Sequence, residues 1–162
     1  MSNRKKIPIS VSEHISNAKH YLEAADRFPA PTNYAVQILL LLIAWENIAT
    51  ANEELAAWAK AKDVDMSIYK SHAKKFSKPP EIHRNDTNIF RVKNKHGSIK
   101  SAYKDGKDFE KLRQLTQYGS QSETFDIRLI FKAGWHTDNF RNRLIGFIDL
   151  VESIHKIYSS NE

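Results

Sequence analysis

The stretch Tyr34 to Asn47, reading YAVQILLLLIAWEN, limits what this chain can fold into more than any other. Between Ala35 and Trp45 the only polar side chain is Gln37, so a helix here has no face to offer water and has to be enclosed by other elements. The run is too short to cross a bilayer, and Glu46, Asn47, Asn52, Glu53 and Glu54 follow at once, which points to the central helix of a soluble core. At its far end Glu46 stands one turn beyond Leu42 and two beyond Leu39, on a line that is apolar up to that point. A carboxylate in that position is the first group to ask about.

The rest of the chain reads as helices that could enclose such a rod. It has 162 residues with five Gly and five Pro, which suits one helical domain with short joints. Ser10 and Glu13 have capping-box spacing, and Val11, Ile15, Ala18, Leu22 and Ala25 make one stripe of a first helix that Phe28-Pro29-Ala30-Pro31 stops. Thr32 or Asn33 caps the central helix, which continues amphipathically through Ile48, Ala51, Leu55 and Trp58 to an end near Lys62. Asp63 or Asp65 caps a third helix with Met66, Tyr69, Ala73 and Phe76 on one face and His72 beside it, closed by Pro79-Pro80.

From Glu81 to Gly106 the apolar residues are single and Gly97 and Gly106 interrupt, so this segment reads as a mobile basic loop with short helical turns. A helix from Lys107 to about Gln117 fits Phe109, Leu112 and Leu115, while Ile127 to Phe131 permits either a short extended piece or one helical turn. Thr137 or Asp138 caps a last helix whose stripe of Phe140, Leu144, Phe147, Val151, Ile154 and Tyr158 packs on the central one. The expected fold is all-α, a single domain over 1–162 forming an antiparallel helical bundle, with 1–9 as a disordered basic arm.

Composition removes several chemistries. With no cysteine there is no disulfide, thiolate metal site or Cys nucleophile, and the common phosphate-loop, nucleophile-elbow and metal-binding patterns are missing, so neither metal nor cofactor is expected. Met1 to Ser10 has no apolar export segment, and the cytoplasm is the expected compartment.

The net charge of +6 is unevenly spread. Lys70 to Lys107 holds eleven Lys and Arg against three acids, or +8, leaving 14 basic against 16 acidic residues, or −2, for the remainder. Such segregation suits a polyanion such as RNA, with Lys70, Lys74, Lys93, Lys95 and Lys100 as phosphate contacts and Phe90 and Tyr103 as the aromatics interleaved among them. The plainer alternative is a solvated Lys-rich loop that serves solubility. Trp58 and Trp135 read as packing residues before they read as base-stacking platforms.

Ala44-Trp45-Glu46-Asn47-Ile48-Ala49, followed by Tyr69-Lys70-Ser71-His72-Ala73-Lys74-Lys75-Phe76, resembles the AbiV-type abortive-infection proteins, small bacterial all-helical proteins with HEPN-like folds. The likeness spans Ser12 to Phe76, and Leu112-Arg113 leading into Tyr118 is similar to a later family segment. Asn47 and Thr50 stand where the family pattern has Glu and Lys. The resemblance implies phage defence through RNA or the translation machinery, a homodimer, and a polar cluster of Glu46, His72 and Lys75. Within it a carboxylate would orient an imidazole; the alternative is a satisfied polar pair that sets helix register. HEPN ribonucleases cut RNA without metal, using an Arg and a His a few residues apart. Arg91 and His96 have that spacing, but before Gly97 in the basic loop and away from a helix start. A non-catalytic protein-interaction bundle is the third possibility.

Overall fold

The computed structural model describes residues 6–28, 34–77, 90–93, 99–103, 113 and 134–160. Its elements in order are α1 (Ile9–Asp26), α2 (Tyr34–Ala59), α3 (Ser67–Lys70), α4 (His72–Ser77), β1 (Phe90–Lys93), β2 (Ile99–Tyr103) and α5 (Gly134–Ser159). The described chain is predominantly helical, as the periodicities require. Its core holds Val11, Ile15, Ala18 and Ala25 from α1, Ile38, Leu41, Leu42, Trp45 and Ile48 from α2, and Phe140, Leu144, Phe147 and Val151 from α5, while Leu22, Ile154 and Tyr158 of the expected stripes pack against it only partly buried. Trp45 stacks on Phe140 at 5.1 Å and meets Phe147 edge-on at 5.2 Å, while Trp58 packs on Tyr158 at 5.2 Å.

Cross-helix pairs fix the relative directions. Ser10 meets Glu54 and His14 meets Asn47, so α1 and α2 are antiparallel. Asp26 takes Arg141 in a two-pronged ion pair, both contacts at 2.6 Å, and Lys19 takes Glu152, so α1 and α5 are antiparallel as well. Trp45 with Phe140 and Trp58 with Tyr158 show that α2 and α5 run in the same sense, so the three long helices are not antiparallel throughout. Parallel neighbours need a long crossover, and the chain between α2 and α5, which carries α3, α4 and the two strands, is that crossover.

Several expectations are corrected. The apolar rod is enclosed on the side facing α1 and α5, but Val36 is 42 % exposed and Leu39, Leu40 and Ile43 are only partly buried, because two long helices cover two sides of a third and leave part of its circumference. Ser10 does not cap α1: the helix starts one residue earlier after Pro8, and the Ser10 hydroxyl donates across to Glu54. The third helix is two pieces, because Ser71 is extended; its side chain accepts from the Lys74 backbone N–H and so starts α4. The buried apolar residues there are Ile68 and Phe76, while Met66 is 63 % exposed.

The segment 81–106 contains an antiparallel strand pair, with Val92 opposite Lys100, Lys93 opposite Ile99 and a register shift between Phe90 and Val92. The alternate spacing of Phe90 and Val92 is a period-two signal that the lysines around it obscure. Thr137 and Asp138 lie inside α5 and are not its cap; Asp138, with Asp26 as the larger influence, helps to raise the pKa of Arg141. The caps proposed at Thr32 and Asn33, the arm before Lys6, and nearly all of 107–133 lie outside the described residues.

The end of α2 is a Schellman motif. The Lys62 N–H bonds the Ala57 carbonyl and the Ala61 N–H bonds the Trp58 carbonyl, placing Ala61 at the position that favours glycine. Ala61 has φ of 51°, where its Cβ is crowded. Ala61→Gly is expected to raise the unfolding free energy by about 0.5–1 kcal/mol, since relief of this strain exceeds the entropy that glycine adds to the unfolded chain. Urea denaturation of the two proteins measures it, and an unchanged or lower midpoint would contradict the strain.

Candidate functional site

The line that begins at Leu39 and Leu42 on α2 continues as Glu46, Thr50 and Glu54, each one turn further on, and all three polar residues are buried. Thr50 turns its hydroxyl back onto the Glu46 carbonyl at 2.8 Å, which leaves the two carboxylates to be answered from outside the helix. A buried carboxylate needs such partners, because desolvation otherwise costs several kcal/mol.

Glu46 is answered by two cationic side chains. His72 at the start of α4 brings Nδ1 to 2.9 Å from Oε2, and Arg113 brings Nε to 2.6 Å from Oε1. The Glu46, His72 and Arg113 side chains are 9 %, 37 % and 19 % exposed, so the carboxylate lies inward and both cations reach the surface. Neither contact has hydrogen-bond alignment: they are close charge contacts whose N–H groups do not aim at the oxygens.

Glu54 is held differently. Ser10 donates to Oε2 at 2.7 Å, the Tyr69 hydroxyl donates to Oε1 at 2.6 Å, and His14 Nε2 lies 3.7 Å from Oε1. The other His14 nitrogen, Nδ1, is 3.2 Å from Asn47 Oδ1. Asn47 is oriented by donating its own amide to the Ile43 carbonyl, so its oxygen faces His14 and the Nδ1 there is the protonated one. Burial is the first cause of the rise of the Tyr69 pKa to about 12, and the bond to the Glu54 carboxylate adds to it.

Glu46 and His72, paired by the sequence reading, therefore meet. Lys75, the third member of that cluster, is half-buried on α4 one turn after His72 and makes no ion pair among the described residues. Lys74 is turned to Asp65, 3.3 Å away, and to the Ser67 hydroxyl; the Ser67 hydroxyl and backbone N–H both donate to Asp65 and, with Lys74 as a lesser cause, lower its pKa to about 2. Lys70 is exposed at the end of α3. Lys93 and Lys100 belong to the paired strands, and Arg91 lies at the register shift. Lys95 and His96 are outside the described residues, so no geometry joins Arg91 to His96.

The sequence reading missed Glu54 with Ser10, His14 and Tyr69, and it missed Arg113 as a partner of Glu46. The four-residue spacing from Glu46 through Thr50 to Glu54 was a readable signal for the first; for the second the only pointer was the Leu112-Arg113 segment singled out by the resemblance, which did not tie it to Glu46. Among the described residues no cluster of His, Asp and Glu could hold a metal ion, and no helix is long and apolar enough to cross a membrane. A cleft of about 530 Å³ between α1 and α5, lined by Lys19, His20, Glu152, His155 and their neighbours, shares no residue with either carboxylate cluster. Comparison with protein-family models, curated proteins and solved structures gave no match.

The Tyr69 bond gives a pH test with a definite sign. Because its folded pKa lies above the value of 10.0 for a free phenol, its contribution to stability is complete below pH 10 and is lost as pH rises toward about 12. Ultraviolet titration should show one late-ionising tyrosine that disappears in Tyr69→Phe, and that variant should lose about 1 kcal/mol at neutral pH. If the step lost in Tyr69→Phe lies near pH 10 and the late step stays, Tyr69 does not belong to the Glu54 cluster.

Proposed function

We propose that this protein is a bacterial abortive-infection (phage-defence) protein of AbiV type that acts by binding RNA or the translation machinery. The same reading takes it to be a cytoplasmic homodimer. One observation carries it: the +8 stretch from Lys70 to Lys107 lies almost wholly between His72 and Arg113, the two points at which the crossover is fastened to Glu46. A basic segment held at both ends on one buried carboxylate is presented from a fixed base, which reduces the ordering cost of meeting a phosphate backbone.

Retention on immobilised RNA or heparin at low salt, lost at moderate salt, is the expected behaviour. Replacing Lys93, Lys95 and Lys100 by Glu should abolish it while circular dichroism stays unchanged. Binding that survives the triple charge reversal sinks the assignment to this segment, and absence of wild-type binding favours a bundle that recognises protein alone.

A second reading, metal-independent cleavage of RNA, draws support from the Glu46 cluster. The Glu46 carboxylate lies 2.9 Å from His72, a candidate general base for a ribose 2′-hydroxyl, and 2.6 Å from Arg113, a candidate to stabilise charge on a pentacoordinate phosphorus. Cleavage of total RNA with chelator present, lost in His72→Ala and retained in His96→Ala, is the result this reading expects. The reverse pattern would return the chemistry to Arg91 and His96, and no cleavage by the wild-type protein would end it.

A further inference from the structure

Control at the root of the Lys70 to Lys107 segment is a separate matter from its charge, and any such control rests on the reading of that segment as polyanion-binding. Phosphate is bound by cations whose charge is not already answered. His72 and Arg113 reach the surface on either side of the basic stretch, yet both sit on the Glu46 carboxylate, at 2.9 and 2.6 Å. Lys75, one turn along α4 from His72, makes no ion pair among the described residues and adds a cation at the same root.

We propose that His72, Lys75 and Arg113 form a binding site for a phosphodiester of single-stranded RNA, and that Glu46 competes internally with the phosphate for two of its three cations. Both contacts to Glu46 are close by distance and lack hydrogen-bond alignment; the contacting Nδ1 and Nε atoms are buried, so a phosphate oxygen meets the exposed part of each side chain and draws it off the carboxylate. The carboxylate is buried and cannot be left bare without cost, so the exchange is opposed until enough of the strand is engaged along the basic segment to drive it. Glu46 thus sets a threshold that short or weakly bound polyanions do not pass.

The sign of this effect separates it from a structural role. If Glu46 only holds the site together, removing its charge weakens binding; if it competes, removing its charge strengthens binding. Fluorescence anisotropy with a labelled oligouridylate across a salt series is the measurement. Glu46→Gln is expected to bind about tenfold tighter than wild type, with the logarithmic salt slope steeper by about 0.7 for each cation released to the strand. Arg113→Gln should reverse most of that gain when combined with Glu46→Gln, because one of the cations released to the strand is then missing.

Equal or weaker binding by a folded Glu46→Gln protein overturns the competition. Where Glu46→Gln does not fold, Glu46→Asp, whose shorter side chain draws the carboxylate away from His72 and Arg113, decides the matter: equal or weaker binding by it overturns the competition as well. Wild-type and Glu46→Gln proteins that both ignore the oligonucleotide at low salt would instead sink the underlying reading of the basic segment.

Discussion

Two carboxylates buried on one line of α2 determine where the remainder of the molecule can lie. Glu46 and Glu54 are two turns apart with Thr50 between them, and α2 cannot supply their partners because its own backbone donors are committed to the helix. The partners come from Ser10 and His14 of α1, Tyr69 of α3, His72 of α4 and Arg113. Apolar contact is non-directional and would let α3 and α4 slide on α2, where Ile68 and Phe76 are their buried anchors. The aligned donors on Glu54, Ser10 of α1 and the Tyr69 hydroxyl of α3, admit one position each, so they supply register there and the apolar residues the adhesion.

The shared direction of α2 and α5 explains why the crossover is long. A short turn would have placed the next helix antiparallel, so the chain has to return along the molecule before α5 begins. His72 and Arg113 close the 40 residues between them into a loop on one carboxylate. Closure entropy grows only with the logarithm of loop length, so a segment of this size is tolerated at a cost little above that of a short one. The basic residues thus occupy the part of the chain where insertion is cheapest and the core is least affected.

Features set by local periodicity were legible in the sequence. The stripes Val11–Ile15–Ala18–Ala25 and Phe140–Leu144–Phe147–Val151 predicted α1, α5 and their buried faces, since a side chain every three or four residues has one helical solution. Glu46 and His72 could be nominated, yet only the tertiary structure shows that they meet, because their approach depends on the extended residue Ser71 turning α4 back toward α2. Ser10 was misread for a related reason: its spacing to Glu13 satisfies a local capping rule, but a buried carboxylate 44 residues away takes the hydroxyl instead. The strand pair escaped notice because lysine runs dilute a two-residue alternation that is only a few residues long. The relative direction of α2 and α5 was not readable either, since a stripe specifies a face and carries no sense along the axis.

Register alone is a weak reason for Glu46 to be acidic. Leu39 and Leu42 precede it on the same line, and an apolar residue there would extend the core. Buried ion pairs are frequently no better than well-packed apolar replacements, so a purely structural demand favours leucine as readily as glutamate. A carboxylate becomes informative when its counter-ions are shared with the surface, and His72 at 37 % and Arg113 at 19 % exposure are placed in that way. Glu54 shows the contrast on the same helix, because Ser10 and Tyr69 bond it at 2.7 and 2.6 Å in aligned hydrogen bonds that leave little to exchange. Of the two, Glu54 has the features of a fixed anchor. Glu46, with misaligned contacts to two surface-reaching cations at the roots of the basic segment, has those of a carboxylate whose partners can be drawn away by a stronger anion.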